Sequence, residues 1–128
     1  EGDDVSPPLR WEDLPEGTQE IAILCEDPDA PRTKPWVHWI AWGISPRTDR
    51  LMEGATDGGS EGRNDFGNIG YGGPMPPKGH GTHHYHFKVY ALDAPLPLDM
   101  GATKDELVRT MSGHVLEEAV LVGTYERR

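Results

Sequence analysis

Sixteen glycines and twelve prolines punctuate these 128 residues. They gather at Pro7-Pro8, at Gly58-Gly59 and from Gly70 to Gly81, and so cut the chain into short segments. Glycine weakens a helix interior and proline breaks it, so a chain divided this way favours short strands joined by turns, with helix a minority. The length is that of one ordinary domain able to bury a core of its own, and a single unit over 1–128 is expected.

Between the breaks lie three strand-like runs. Ile21-Ala22-Ile23-Leu24-Cys25 is apolar on both faces and stops at the Asp27-Pro28 turn, as a buried strand does. From Trp36 to Trp42, a period of two sets Trp36, His38, Ile40 and Trp42 on one face and Val37, Trp39 and Ala41 on the other. Both faces are largely apolar, so this strand reads as central. From His83 to Leu92, the same alternation turns His83, Tyr85, Phe87, Val89 and Ala91 inward and His84, His86, Lys88, Tyr90 and Leu92 partly outward.

One helix is signalled. Thr103 and Glu106 form a capping box, Leu107, Val108 and Met111 make an apolar side, and Gly113 supplies a stop. A last strand over about Ala119 to Tyr125 follows. Residues Arg47 to Asn68 show little periodicity and read as a long mobile surface segment.

The charge balance narrows the partners. With 22 acidic against 12 basic side chains the net charge is −10, which repels nucleic acid and anionic membrane surfaces. Mean hydropathy is −0.64, and no apolar run approaches the roughly 20 residues that cross a bilayer. The acidic start, Glu1-Gly2-Asp3-Asp4, is unlike an export signal. A single cysteine, Cys25, excludes an internal disulfide, so the expected compartment is the cytoplasm.

Three patches could carry chemistry. Asp27-Pro28-Asp29-Ala30-Pro31 places two carboxylates at a strand end in a loop stiffened by proline; alone it would read as an ordinary turn. His38 stands among large apolar neighbours, where an imidazole needs partners for its ring nitrogens. His83 and Tyr85 share a strand face and follow a glycine-proline loop, Gly70 to Gly79, whose backbone N–H groups could turn toward an anion. Aspartates, histidines and aromatics at strand ends are what a small polar pocket in an apolar wall requires.

These residues carry a resemblance. Ser6-Pro7-Pro8-Leu9-Arg10-Trp11, Asp27 to Pro31, His38-Trp39, Gly70 to Tyr85 with Phe87 and Val89-Tyr90-Ala91-Leu92, and Gly123-Thr124-Tyr125-Glu126-Arg127 together resemble the phosphatidylethanolamine-binding protein family. This family is also called Raf-kinase-inhibitor-like, and the match is to its bacterial and archaeal branch. The resemblance implies an all-β-dominated fold, a Greek-key β-sandwich of two antiparallel sheets with one or two short helices near the C-terminus. It also implies a pocket for phosphate, phosphorylethanolamine or acetate-like anions, with no catalytic turnover, metal or cofactor. Carried over by position, the pocket falls on Asp27, Asp29, Pro31, Trp36, His38, Gly73, Pro76, His83 and Tyr85. The family's usual arginine after the pocket histidine is His84 here, and relatives carry another strand-forming segment before Ser-Pro-Pro-Leu.

The expected mechanism has Asp27 or Asp29 accept a hydrogen bond from His38 or His83 and raise the histidine pKa, so that imidazolium and backbone N–H groups hold the anion. Trp36 and Tyr85 would wall the site. The expected partner is a small anionic ligand or phospholipid head group, with a kinase or protease as the inherited inhibitor reading. The four Trp and four Tyr would supply apolar surface for a homodimer. The rival is a metal-dependent hydrolase using the same two Asp and two His, against which stands the lack of a compact pair such as H-x-x-x-H. His80, His84 and His86 read as a solvated face. Cys25, inside an apolar strand, reads as an inert buried thiol.

Overall fold

A computed structural model describes residues 6–29, 34–73 and 82–126, with the backbone alone for 82–84 and 122–126. Among the described residues seven strands and one helix follow in the order β1 (Leu9–Arg10), β2 (Glu20–Asp27), β3 (Trp36–Ile44), β4 (Arg50–Leu51), β5 (Ser60–Glu61), β6 (Thr82–Leu92), α1 (Lys104–Met111) and β7 (Val115–Glu126). They form two antiparallel sheets, β5-β3-β2-β6-β7 and the small β1-β4 pair. β2 and β3 are neighbours in the chain and in the sheet, whereas β6 crosses to the other side of β2, the long return expected of a Greek key.

Every residue of β2 is buried, as its two-sided apolar run demands. On one face Ile21, Ile23 and Cys25 pack with Trp39, Ala41, Tyr85, Phe87 and Val89, closed over by Leu9, Trp11 and Leu51 of the small sheet and its flank. Trp11 fixes this second layer by donating its backbone N–H to Asp49 O and its indole Nε1 to Thr48 O. On the other face Ala22, Leu24, Val37, Ile40 and Trp42 pack with Tyr90, Leu92, Leu96 and the helix residues Leu107 and Met111.

The helix has the expected capping box, with Thr103 Oγ1 accepting from the Glu106 N–H and Glu106 returning to the Thr103 N–H. Gly113 follows with φ of 84°, the left-handed geometry that ends helices. Val108 belongs to the expected apolar side but stays 45% exposed; the buried stripe is Leu107 and Met111 alone. The last strand begins at Val115, four residues before the expected start, and pairs with β6 along its length.

Two expectations are corrected. The alternation along β3 is broken by a bulge, because Cys25 faces Trp39 while Glu26 faces Val37, leaving His38 as the extra residue. Val37 therefore joins Ile40 and Trp42, and His38 turns to the side of Tyr85. Residues 47–68 are also far from a structureless surface segment. They hold β4, β5, an isolated bridge between Arg63 and Ile69, and the buried side chains of Leu51 and Asn64.

Candidate functional site: an aspartate and histidine niche at the end of β2 and β3

The niche is built where β2 ends and β3 begins. Asp27 pairs with Trp36 across the two strands, and its side chain is buried. Asp27 Oδ1 accepts the Asp29 N–H at 2.8 Å, folding the Asp-Pro-Asp corner back on itself in an Asx turn. Asp29 itself is exposed. Pro31 and Pro76 lie outside the described residues, as does the side chain of His83, whose backbone stands in β6 two positions before Tyr85.

His38 is the most constrained member. Its ring is buried, edge-on to Tyr85 at 4.9 Å and to Phe66 at 5.5 Å between centroids. Phe66 also meets Trp36 edge-on at 5.2 Å, so one aromatic ring covers both pocket residues of β3. His38 Nδ1 lies 2.7 Å from the carbonyl oxygen of Gly72. A carbonyl only accepts, so Nδ1 carries the hydrogen and donates it, and in the neutral ring Nε2 keeps the lone pair.

At His38 this differs from the expected aspartate-to-histidine bond that raises the histidine pKa; the alternative through His83 lies outside the described side chains. Burial is the largest influence on His38 and lowers its pKa below the ordinary value. It outweighs the Gly72 carbonyl, the charge of Asp27, the Gly73 carbonyl and the charge of Asp65, each of which pulls the other way. Asp27 is close enough to act on the ring, and yet the neutral imidazole is favoured because desolvation of a cation dominates.

A segment that the sequence reading passed over frames the niche. Beyond β5 the chain continues along the outer edge of β3, with Gly62 N–H donating to Ile40 O, Asp65 N–H to Val37 O and Gly72 N–H to His38 O. Asp65 completes the ladder with its side chain, Oδ2 accepting the Val37 N–H at 2.7 Å. Asn64, 4% exposed, organises the loop; its Oδ1 accepts from the N–H groups of Phe66 and Asn68, and its Nδ2 donates to Gly70 O. Asn64-Asp65-Phe66-Gly67 carries an Asx-turn composition, the signal from which this could have been read. Gly72 is buried, and a Cβ there would run into the Phe66 ring.

Tyr85 and Gly73 are both buried; Tyr85 meets the His38 ring, and Gly73 follows the glycine bonded to that ring. Cys25 is fully buried and lies in the neighbouring core, where desolvation pushes its thiol pKa far up, with the charges of Glu26 and Asp27 adding to the shift. A thiol in that state is a packing group. Among the described residues no group of three or more His, Cys, Asp or Glu side chains is arranged to hold a metal ion, and no helix is long and apolar enough to cross a membrane.

Comparison with known proteins agrees with this architecture. The chain is 50% identical over 136 residues to a UPF0098 protein of Pyrococcus abyssi, covering 100% of this chain and 75% of that one. The crystal structure of Escherichia coli YbcL, described as a member of the mammalian PEBP family, superposes with a TM-score of 0.91 at 35% identity, covering 98% of this chain and 82% of that chain. A phosphatidylethanolamine-binding protein homologue from Chlamydia trachomatis does so with a TM-score of 0.90 at 41% identity, covering 97% and 82%. The family model described as phosphatidylethanolamine-binding protein matches residues 1–126. With the two-sheet architecture, the buried niche and a match along almost the whole sequence in agreement, the chain belongs to the phosphatidylethanolamine-binding protein family.

Proposed function

We propose that this chain binds a small phosphate-like anion, phosphorylethanolamine among them, in the niche of Asp27, Trp36, His38, Gly73 and Tyr85, and that it does so without turnover. The observation that carries the reading is a buried imidazole set edge-on between two aromatic rings, with the buried carboxylate of Asp27 close enough to act on it. Buried polar groups of this kind cost stability unless they are partnered, and they recur where a site must orient a ligand. The aromatic walls exclude water, so each hydrogen bond to an anion counts for more than it would at the surface.

Calorimetric titration with phosphorylethanolamine and inorganic phosphate, before and after chelation, tests the reading. Saturable binding that survives chelation and is lost in His83→Ala supports it. Binding or hydrolysis that appears only with added metal transfers the site to the hydrolase class.

A further inference from the structure

A second cleft opens along the loop that borders β3. It measures about 460 Å³, and Ser6, Glu61, Asn64, Phe66, Ile69 and Tyr71 are among the residues that line it. None of Asp27, Trp36, His38, Gly73 and Tyr85 borders it; the cleft and the niche share only the wall made by Phe66 and Gly72. Its volume is that of a small-molecule site. Among the described residues that line it, Glu61 alone carries a charge. Glu61 ends β5 in register with Ala41 of β3, and its carbonyl accepts the Gly101 N–H at 3.0 Å. Its carboxylate is held by the buried Trp39, whose indole Nε1 donates to Oε2 at 2.8 Å, and it lies against the loop at Gly70, where a Cβ would stand 3.5 Å from Oε2. A carboxylate can accept about four hydrogen bonds. Among the described residues Glu61 receives no other, and it joins no ion pair. Arg63, two residues on, is turned to the Gly67 carbonyl at 2.8 Å. Glu26, by contrast, meets two lysines.

The geometry points to a binding site for a small primary ammonium, with its charge on Glu61 and its alkyl part against Tyr71, Phe66 and Ile69. The site is separate from the anion niche and does not rest on that reading. A half-buried carboxylate without a cation is costly, and a charge-assisted hydrogen bond from an ammonium offsets that cost. The amide of Asn64 is committed to the loop, accepting from Phe66 and Asn68 and donating to Gly70, so the carboxylate is the group left to select a ligand by charge. The rest of the wall suits an organic cation. Tyr71 stands edge-on to Trp39 at 5.9 Å, and Phe66 and Ile69 remain 39% and 46% exposed at the rim. Aromatic faces attract ammonium groups, and apolar rims cover alkyl chains. A metal ion needs several oxygen or nitrogen ligands at once, whereas one carboxylate stands here. The net charge of −10 draws cations toward the protein and repels anions from this cleft.

Propylammonium chloride titrated into the full chain at constant ionic strength, followed by nitrogen–proton NMR, tests the site. The Trp39 indole N–H reports on Glu61, whereas the Trp36 and His38 rings report on the niche. The Trp39 signal should move saturably, with a dissociation constant in the millimolar range that a ligand of about four heavy atoms reaches. Propanol has the same shape without the charge and should bind at least about tenfold more weakly. Glu61→Gln keeps an oxygen for the Trp39 indole and removes the charge, so propylammonium should bind it at least about tenfold more weakly too. Affinity for the variant within about twofold of the original overturns the proposal. Independently of any variant, so does propanol binding within about twofold of propylammonium. No saturable movement of Trp39 up to about 100 mM also overturns it. A response confined to Trp36 and His38 does the same, since it would put the amine in the niche.

Discussion

His38 and Gly72 are joined twice, the Gly72 N–H donating to the His38 carbonyl at 2.8 Å and the Gly72 carbonyl accepting from His38 Nδ1 at 2.7 Å. One glycine thereby fixes the backbone of a pocket residue and the tautomer of its ring. The exchange requires the loop to pass so close to β3 that the space above Gly72 is filled by Phe66, the ring that covers Trp36 and His38.

Gly72→Ala should therefore act on the site through Phe66. The new methyl overlaps the Phe66 ring, and overpacking of this kind costs about 1–3 kcal/mol. Urea unfolding should show that loss, and anion affinity should fall with it because Phe66 can no longer seat against His38. Adding Phe66→Leu should recover part of the stability. A double variant no more stable than Gly72→Ala alone would locate the strain elsewhere.

Asn64→Ala should be among the costliest polar substitutions in the loop. It removes an acceptor from the N–H groups of Phe66 and Asn68 and a donor from the Gly70 carbonyl, at a residue only 4% exposed. Orphaned groups of this kind cost about 1–3 kcal/mol each when shielded from water, and a loss of about 2 kcal/mol or more is expected in chemical denaturation. Asn64→Asp keeps both accepted bonds but sets a carboxylate oxygen against the Gly70 carbonyl, so it should recover little of that loss at pH 7. Near-original stability in Asn64→Asp would mean that the accepted bonds carry the effect and the donated bond to Gly70 carries none.

The sequence was legible where burial enforces periodicity. β2, β6 and the capped helix stand where a run apolar on both faces, an alternating run and the Thr103-Glu106 pair put them, because each has apolar surface that must be covered. It was illegible at His38, since a bulge changes the parity of a strand and leaves no mark in composition. The stretch 47–68 was misread for a related reason. Its order comes from one buried asparagine and from a carboxylate, Asp65, standing in for a strand neighbour of Val37, and such side-chain bonds have no period. The carboxylate and histidine identities at the niche were readable from the chain, but the state of the histidine was not. It depends on how much water the folded protein removes from the ring, which only the packing reveals.

His38 should titrate below the ordinary histidine value of about 6.5 in the free protein, because burial disfavours the imidazolium. The unfolded chain then takes up this proton first as pH falls. The neutral ring's contribution to stability is fully present above about pH 6.5 and is lost as pH drops through the lower folded value. Following the His38 ring protons by NMR between pH 8 and pH 4 checks this directly. A midpoint above 6.5 in the absence of ligand would contradict the burial argument.

Glu26 gives the protein a second acid-sensitive element, on the helix side of the sheet, that also weakens as pH falls. Its buried carboxylate accepts from Lys88 Nζ at 2.9 Å and Lys104 Nζ at 2.6 Å, tying β2 to β6 and to the first turn of the helix. Burial alone would push its pKa up; the hydrogen bonds and charges of the two lysines, Lys104 foremost, more than offset this and hold it below the usual carboxylate value. A depressed folded pKa means that the pair's stabilisation is whole above the unfolded value of about 4.3 and is lost as pH falls through the lower folded one. Glu26→Gln should cost about 2 kcal/mol at pH 7. That is less than the roughly 3–5 of a fully buried pair, since the lysine side chains remain 26% and 29% exposed. Thermal unfolding of both proteins from pH 7 to pH 3 should show the two melting temperatures converging below pH 4. A difference that stays constant across that range would mean that packing of the side chain, and not its charge, holds the helix to the sheet.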